Sequence, residues 1–449
     1  MLSVFNSRIA LSDGTLAQSR ALRCLAVISL VGALAACGTT QTTPPPPVFV
    51  PPEPVIEQPV EIEPEPFEEP VATGLIPPHM ADREIARVAV LLPFSADSSG
   101  ARSEAIRLLH SAELALFERG SGNLLMIPKD TQGTADGARE AARAAIEDGA
   151  DIIIGPLFGP AVSAAGQVAR QANVPVIAFT TDTSIAGDGV YLMSFPPEIE
   201  VARITEYATR RGVERFAYLG PQNRYGMAVH AALQDNAAMT GGYIAAESFY
   251  TGDVEAMARA SARLAEGVFE PLTPEEADEL RLLEWEPDPE APFQAVMLPE
   301  GGTKLRALGP LLISQAVDPL VVRFLGTGLW NDPDLLREPA LRGGWFAGPD
   351  LSARTAFETA YEASYGSEPS RIASLAYDAM SLAAHLDGGE RGFSREAIEE
   401  DQGFLGADGL FRFRTTGMIE RGLAIYEMRS RGFREIEPAP LSFEPEAAF

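Results

Sequence analysis

The chain has 449 residues, 46% of them hydrophobic, and a formal net charge of −28, enough length for two lobes around a sizeable core. The acid excess argues against nucleic acid as a partner, because phosphate binding needs clustered Lys and Arg. Both cysteines, Cys24 and Cys37, lie near the N-terminus, so the body has no disulfide, no thiol nucleophile and no Cys-based metal site.

The first segment is a targeting sequence. Arg8, Arg20 and Arg23 precede an apolar run from Cys24 to Ala36, too short and wrongly flanked for a membrane-spanning helix. Leu34-Ala35-Ala36-Cys37 closes it. This resembles the bacterial lipobox, which implies that residues 1–36 are removed and that Cys37 is lipidated as the new N-terminus. An ordinary secretory signal with an incidental cysteine is the alternative. Acyl chains anchor through roughly 0.8 kcal/mol per buried methylene, and stable anchoring takes more than one chain. Gly38, where an Asp would direct retention at the inner membrane, implies an outer-membrane address.

Residues 37–82 read as the lipidated cysteine followed by a disordered tether. It contains Pro44-Pro45-Pro46-Pro47 and seven glutamates from Glu53 to Glu69, with no Lys or Arg up to Asp82. Such a segment is extended and buries too little apolar surface to offset chain entropy.

Residues 83–449 form one domain. Val88 to Leu92 is a strand, Ser103 to Phe117 a helix, Leu124 to Ile127 a strand, and Thr134 to Glu147 a helix capped by Thr134. Asp151 to Gly155 is a third strand, Ala161 to Gln171 a helix and Val176 to Phe179 a fourth strand. After Tyr191 to Phe195 the alternation restarts with the helix Glu198 to Arg210, the strand Phe216 to Leu219 and the helix Met227 to Met239. Tyr243 to Tyr250, Phe293 to Leu298, Val321 to Leu325 and Gly344 to Ala347 are further strands. The helix Ser374 to His385 and a hairpin-like pair, Leu410 to Phe413 and Leu423 to Met428, complete the chain. Such alternation predicts an α/β fold of two doubly wound parallel-sheet lobes, with a cleft at the carboxyl ends of the strands. Glu270 to Glu290 interrupts it with nine acids, one Arg and Trp285. It reads either as a solvated insertion or as a partner-binding loop anchored by Trp285.

No nucleophile elbow, phosphate loop or His-Glu-x-x-His pair occurs, and the four histidines are scattered. The expectation is a non-enzymatic protein with no catalytic residues, no cofactor and no metal. Binding chemistry is better supported, at loops where strands end and helices begin. These loops predict a ligand cleft lined by Ser95, Leu157, Phe158, Thr180, Thr181 and Tyr225, each with simple turn chemistry as the alternative.

Ile153-Ile154-Gly155-Pro156-Leu157, Asn173-Val174-Pro175-Val176-Ile177 and Tyr225-Gly226 resemble the leucine/isoleucine/valine-type periplasmic binding proteins. Tyr377-Asp378-Ala379 and Gly406 to Phe413 match that family's later signatures. The resemblance spans about 87–428 and implies the type I fold, with three crossings between lobes near 195–197, 326–331 and 403–408. Lobe 1 would hold about 87–195 and 330–403, and lobe 2 about 197–326 and 408–440. Transporter relatives place a Ser where this chain has Gly159, so carboxylate recognition departs from their pattern. Glu300 is a candidate for holding an ammonium group.

A narrower resemblance is to the penicillin-binding protein activator family. It rests on Asp130-Thr131-Gln132-Gly133, on Ala291 to Pro299, on Leu308-Gly309-Pro310-Leu311-Leu312 and on Gly326 to Trp330. It implies an outer-membrane lipoprotein facing the periplasm that contacts a peptidoglycan synthase. The helical-repeat N-terminal domain of that family's best-known members is absent, and the Pro/Glu tether stands in its place. The alternative is a substrate-binding lipoprotein of an ABC importer for amino acids or amides, whose small ligand would be an amino acid or, for the activator, a muropeptide.

Overall fold

The computed structural model describes residues 76–266 and 269–443. Cys37 and most of the expected tether lie outside the described residues. The end of that tether departs from the expectation of disorder. Pro78–Met80 form a 3-10 turn with Met80 buried, and Arg83 just beyond donates to the Gly122 carbonyl at 2.8 Å. A proline that starts the turn and a methionine that finds core surface give these residues a fixed place.

The first run of alternating elements builds one sheet. It comprises β1 (Ala86–Leu92), α1 (Ser99–Arg119), β2 (Leu124–Asp130), α2 (Ala135–Glu147), β3 (Ile152–Ile154), α3 (Gly159–Gln171), β4 (Val176–Ala178) and β5 (Val190–Leu192). The strand order is β2-β1-β3-β4-β5, with every pairing parallel. Helices cover both faces, so the central strands are apolar throughout: Val88 to Leu92 and Ile152 to Ile154 are completely buried. Polar caps start the helices. Ser98 accepts from the Ala101 N–H and Thr134 from the Gly137 N–H.

At Pro196-Pro197 the chain passes to a second lobe. There follow α4 (Pro197–Arg210), β6 (Arg215–Pro221), α5 (Arg224–Met239), β7 (Tyr243–Tyr250), α6 (Val254–Ala265), α7 (Pro274–Leu282), β8 (Ala295–Met297), α8 (Gly302–Ile313), β9 (Arg323–Gly326) and β10 (Trp345–Gly348). Next, α9 (Leu351–Tyr365) and α10 (Ala373–Asp387) return to the first lobe, where α10 packs along α1. The Arg119 Nε there donates to the Tyr377 hydroxyl at 3.0 Å. A short α11 (Arg395–Ile398) leads to an antiparallel three-stranded sheet of β11 (Phe404–Gly406), β12 (Gly409–Phe413) and β13 (Ile419–Arg421). Finally β14 (Ala424–Arg429) and β15 (Gly432–Glu437) complete the second sheet, ordered β15-β14-β10-β9-β8-β6-β7.

Three expectations are corrected here. Residues 330–348 were expected in lobe 1, yet β10 pairs with β9 and β14 inside the lobe 2 sheet. Trp345 and Phe346 are buried there, and the chain leaves lobe 2 only after Gly348, where Asp350 caps α9. Second, Leu410 to Phe413 and Leu423 to Met428 do not pair. The first segment, as β12, is flanked by β11 and β13, and the second, as β14, by β10 and β15. Third, residues 408–421, expected in lobe 2, pack on the lobe 1 core through Phe411, Phe413 and Ile419, so the third crossing follows Arg421 rather than lying near 403–408.

The acidic insertion is held to lobe 2. Its helix α7 opens with a capping box between Thr273 and Glu276. Trp285 is not an exposed anchor: it packs edge-on against Trp345 at 5.2 Å, lies 4.5 Å from the Arg323 guanidinium carbon and donates to the Val321 carbonyl at 3.3 Å.

Candidate functional site

The lobe 1 rim is built from the turns that follow β1, β3 and β4. Ser95 follows β1, and its backbone N–H donates to Asp130 Oδ1 at 3.2 Å. Burial would raise the Asp130 pKa, but hydrogen bonds from Ser95, and from the backbone of Gln132 and Phe94, hold it below the usual carboxylate value. Leu157 is half-buried against the lobe 1 core. Phe158 caps α3 without a side-chain bond and is 38% exposed. Thr180 is buried, with its Oγ1 accepting from the Asp182 N–H at 3.2 Å, while Thr181 is exposed. Asp182 is held low, first by Ser184, whose hydroxyl bonds its Oδ1 at 2.7 Å, and further by Arg224.

Gly159, where transporter relatives carry a serine, faces this cluster. A Cβ there would lie 3.5 Å from Asp182 Oδ2 and 3.6 Å from Thr180 Oγ1, an ordinary packing distance. A side chain would fit, so what glycine removes is a hydroxyl rather than a clash.

The lobe 2 rim begins at α5. Asn223 caps it by accepting the Gly226 N–H at 2.8 Å, which sets Arg224 and Tyr225 in the first turn. The Tyr225 hydroxyl bonds Thr327 Oγ1 at 2.7 Å. Burial, and then the Glu200 carboxylate, raise its pKa. Arg224 Nη2 reaches across to Asp182 Oδ1 at 3.4 Å. Asp182, bonded to Thr180, and Arg224, beside Tyr225 in sequence, therefore meet from opposite lobes, while the Tyr225 hydroxyl bonds within lobe 2. Phe158 adjoins them in sequence through Gly159, whereas Ser95 is bonded to Asp130 within its own lobe.

Sequence reasoning missed a charged cluster at the junction of the lobes. Glu200, in the first turn of α4, is buried; its Oε2 accepts the Gly328 N–H at 2.9 Å and its Oε1 lies 3.6 Å from Arg371 Nη2. Burial pushes its pKa up to about 7, against the opposing pull of Arg371 and the Gly328 N–H. The fit is tight: a Cβ on Gly328 would stand 2.6 Å from Glu200 Oε1. Arg371 belongs to the α9–α10 connection of lobe 1, and its guanidinium lies over Phe195 at 5.4 Å. Behind it, Arg421 covers the same ring at 4.7 Å and donates to the Ser194 carbonyl at 3.0 Å. Nothing in the sequence distinguished Glu200 from any acid that a helix N-terminus favours. Glu300, the sequence candidate for an ammonium partner, is committed to the Tyr250 hydroxyl at 2.9 Å and to Lys304 at 3.7 Å. Among the described residues no cluster of His, Cys, Asp and Glu has metal-site geometry.

Residues 86–266 match a family model described as periplasmic binding protein. Three solved structures extend the likeness. A putative branched-chain amino acid ABC transporter from Rhodospirillum rubrum has a TM-score of 0.65 at 19% identity, over 78% of this chain and all of its own. An ABC transporter substrate-binding protein from Sphaerobacter thermophilus has 0.58 at 19%, over 79% and 97%. A solute-binding protein of an ABC transporter from R. palustris, solved with benzoate, has 0.54 at 17%, over 81% and 98%. The fold is that of the type I periplasmic binding proteins. No curated protein matches the chain in sequence. The periplasmic-binding-protein fold accounts for the lobe-to-lobe convergence, since ligands of open α/β sheets sit outside the carboxyl ends of the strands. No described helix is long and apolar enough to cross a membrane.

Proposed function

We propose that the chain is the solute-binding component of an ABC importer, taking a small molecule between its lobes without turning it over. One observation carries this reading: Asp182 of lobe 1 and Arg224 of lobe 2 approach to 3.4 Å beside Thr180 and Tyr225. Polar groups from both lobes thus converge at strand ends, where a bound solute would hold the lobes together. The transporter solute-binding proteins that share the fold support it. The cleft is assigned to Ser95, Leu157, Phe158, Thr180, Thr181 and Tyr225, with Arg224, Glu200 and Arg371 added from the geometry.

Thermal scans of the purified protein against amino acids, aromatic acids and muropeptides test this. A binder should raise the melting temperature, and Thr181→Ala and Tyr225→Ala should each weaken it by about 1–3 kcal/mol. Equal affinity in both variants overturns the cleft assignment. We also assign Cys37 as the lipid attachment point, from the lipobox; the outer-membrane address that Gly38 implies belongs with the second reading below, because an ABC importer sits in the inner membrane. Cys37→Ala should move the protein out of the membrane fraction, and retention there defeats the assignment.

A second reading, an activator of a peptidoglycan synthase, rests on the sequence segments from Asp130 to Gly133 and from Ala291 to Pro299. Recovery of a synthase by pull-down, with β-lactam sensitivity on deletion, favours it. A solute-uptake defect without a cell-wall phenotype favours import.

A further inference from the structure

The solute-binding reading above leaves open which chemical class enters the cleft, and the acids around it bear on that question. An amino acid brings an ammonium group that needs a carboxylate free to receive it. Glu200 gives one oxygen to the Gly328 N–H at 2.9 Å and sets the other 3.6 Å from Arg371. Asp182 Oδ1 accepts from both the Ser184 N–H and its hydroxyl and lies 3.4 Å from Arg224, which balances the carboxylate's charge, while Oδ2 lies toward Gly159. Glu300 holds the Tyr250 hydroxyl. Glu198 is exposed but stands two residues from Glu200 in α4, and positions so spaced do not share a helix face.

The donors are less committed. The Arg371 side chain keeps 47% of its surface, and its guanidinium donates no hydrogen bond among the described residues, making only the ion pair to Glu200 and the contact over Phe195. The Thr180 hydroxyl oxygen accepts a bond, which leaves its proton to donate, and Thr181 is exposed. The Tyr225 hydroxyl bonds Thr327 Oγ1 at 2.7 Å, and Gly328 beside it donates to Glu200, which faces Arg371, so these groups share one neighbourhood. Phe195 supplies aromatic surface against Arg371, and Phe158 is an exposed aromatic ring elsewhere on the lobe 1 rim.

We infer that the cleft recognises a carboxylate on an apolar body that lacks an α-ammonium group, with Arg371 and the two threonines holding the carboxylate and Glu200 acting as the internal counter-ion of Arg371. On this assignment Glu200 competes with the ligand for Arg371, whereas for an amino acid it would be the ligand's own partner. The two cases predict opposite effects of one isosteric substitution.

The experiment uses matched pairs that differ by the ammonium alone: leucine with 4-methylpentanoate, and phenylalanine with 3-phenylpropanoate. Affinities are read by calorimetry on the full protein, on Glu200→Gln and on Arg371→Gln, with far-UV circular dichroism and melting temperature as checks on folding. The expected result is that at least one deaminated acid binds and its amino acid does not. Glu200→Gln should keep or tighten that binding, and Arg371→Gln should weaken it about tenfold or more, as for loss of a charged hydrogen bond. Should Arg371→Gln fail to fold, the Glu200→Gln result decides alone. Binding of the amino acids with loss in Glu200→Gln overturns the inference and leaves the solute-binding reading intact. Binding of neither class overturns the inference and counts against that reading as well.

Discussion

Glu200 shows how one buried carboxyl shapes the behaviour of the protein. It is enclosed by α4, the Gly328 turn and Arg371, and burial raises its pKa to about 7 from an ordinary value of 4.5. In this window the folded state holds a proton that the unfolded chain has released. Its contribution to stability is therefore complete below about pH 4.5 and is lost as pH rises toward 7, on the order of 3 kcal/mol at most. Asp378, raised by burial and by the neighbouring Asp408 against the pull of Arg421, tilts stability in the same direction. Urea denaturation of Glu200→Gln across pH 5 to 8 should show a flatter decline than the parent, with the Asp378 share remaining. An unchanged slope would mean that Glu200 does not titrate in this range.

At the scale of elements, the antiparallel sheet β11–β12–β13 is tied to lobe 1 by buried charge. Arg354, on α9, donates to Asp408 Oδ1 at 2.8 Å, to Ser374 Oγ at 3.2 Å and to the Arg371 carbonyl at 3.0 Å. Removing one partner of such a pair leaves the other charge buried and costs about 3–5 kcal/mol. Arg354→Met should lower stability by that amount, and the double variant with Asp408→Asn should recover part of it in chemical denaturation. Sequence periodicity made much of this architecture legible, because strands covered on both faces, such as Ile152 to Ile154, read as unbroken apolar runs. β10 was recognisable as a strand, but its lobe was not: four residues carry no record of which sheet they join, and the pairing with β14 comes from far along the chain. The site divides similarly. Thr180 and Tyr225 sit at strand ends, where sequence order locates them. Glu200 and Arg371 are made neighbours only by the chain's crossings between lobes. Trp285 in its acidic loop looks exposed in sequence, yet the guanidinium of Arg323 and the ring of Trp345 give it an inward surface to pack against.

For the whole molecule, the approach of the two lobes rests in part on an exposed pair. Arg224 is 79% exposed and Asp182 32%, so their attraction is screened by water and salt and amounts to about 0–1 kcal/mol. Arg224→Ala should therefore shift the balance toward an open form modestly, by up to about fivefold. Small-angle scattering without ligand should show a larger radius of gyration for the variant at low salt, with the difference shrinking at high salt. An identical radius at low salt would mean that the pair does not help to hold the lobes together. The formal charge of −28 acts in the opposite sense on an anionic solute: it repels the incoming ligand at long range, so added salt should speed association.

The return of α9 and α10 to lobe 1 has a consequence for how the protein is made. The apolar face of α1 that α10 covers is synthesised long before its cover. At translation speeds of about 5–20 residues per second, roughly 10–40 s separate the end of β5 from the end of α10. During that interval most of lobe 2 is being made, with β14 and β15 still to come, while its older neighbour waits with one side open. The nascent chain thus passes through a stage in which its first half is unfinished and sticky, and a holding chaperone, or export before compaction, would guard it until the last helices arrive.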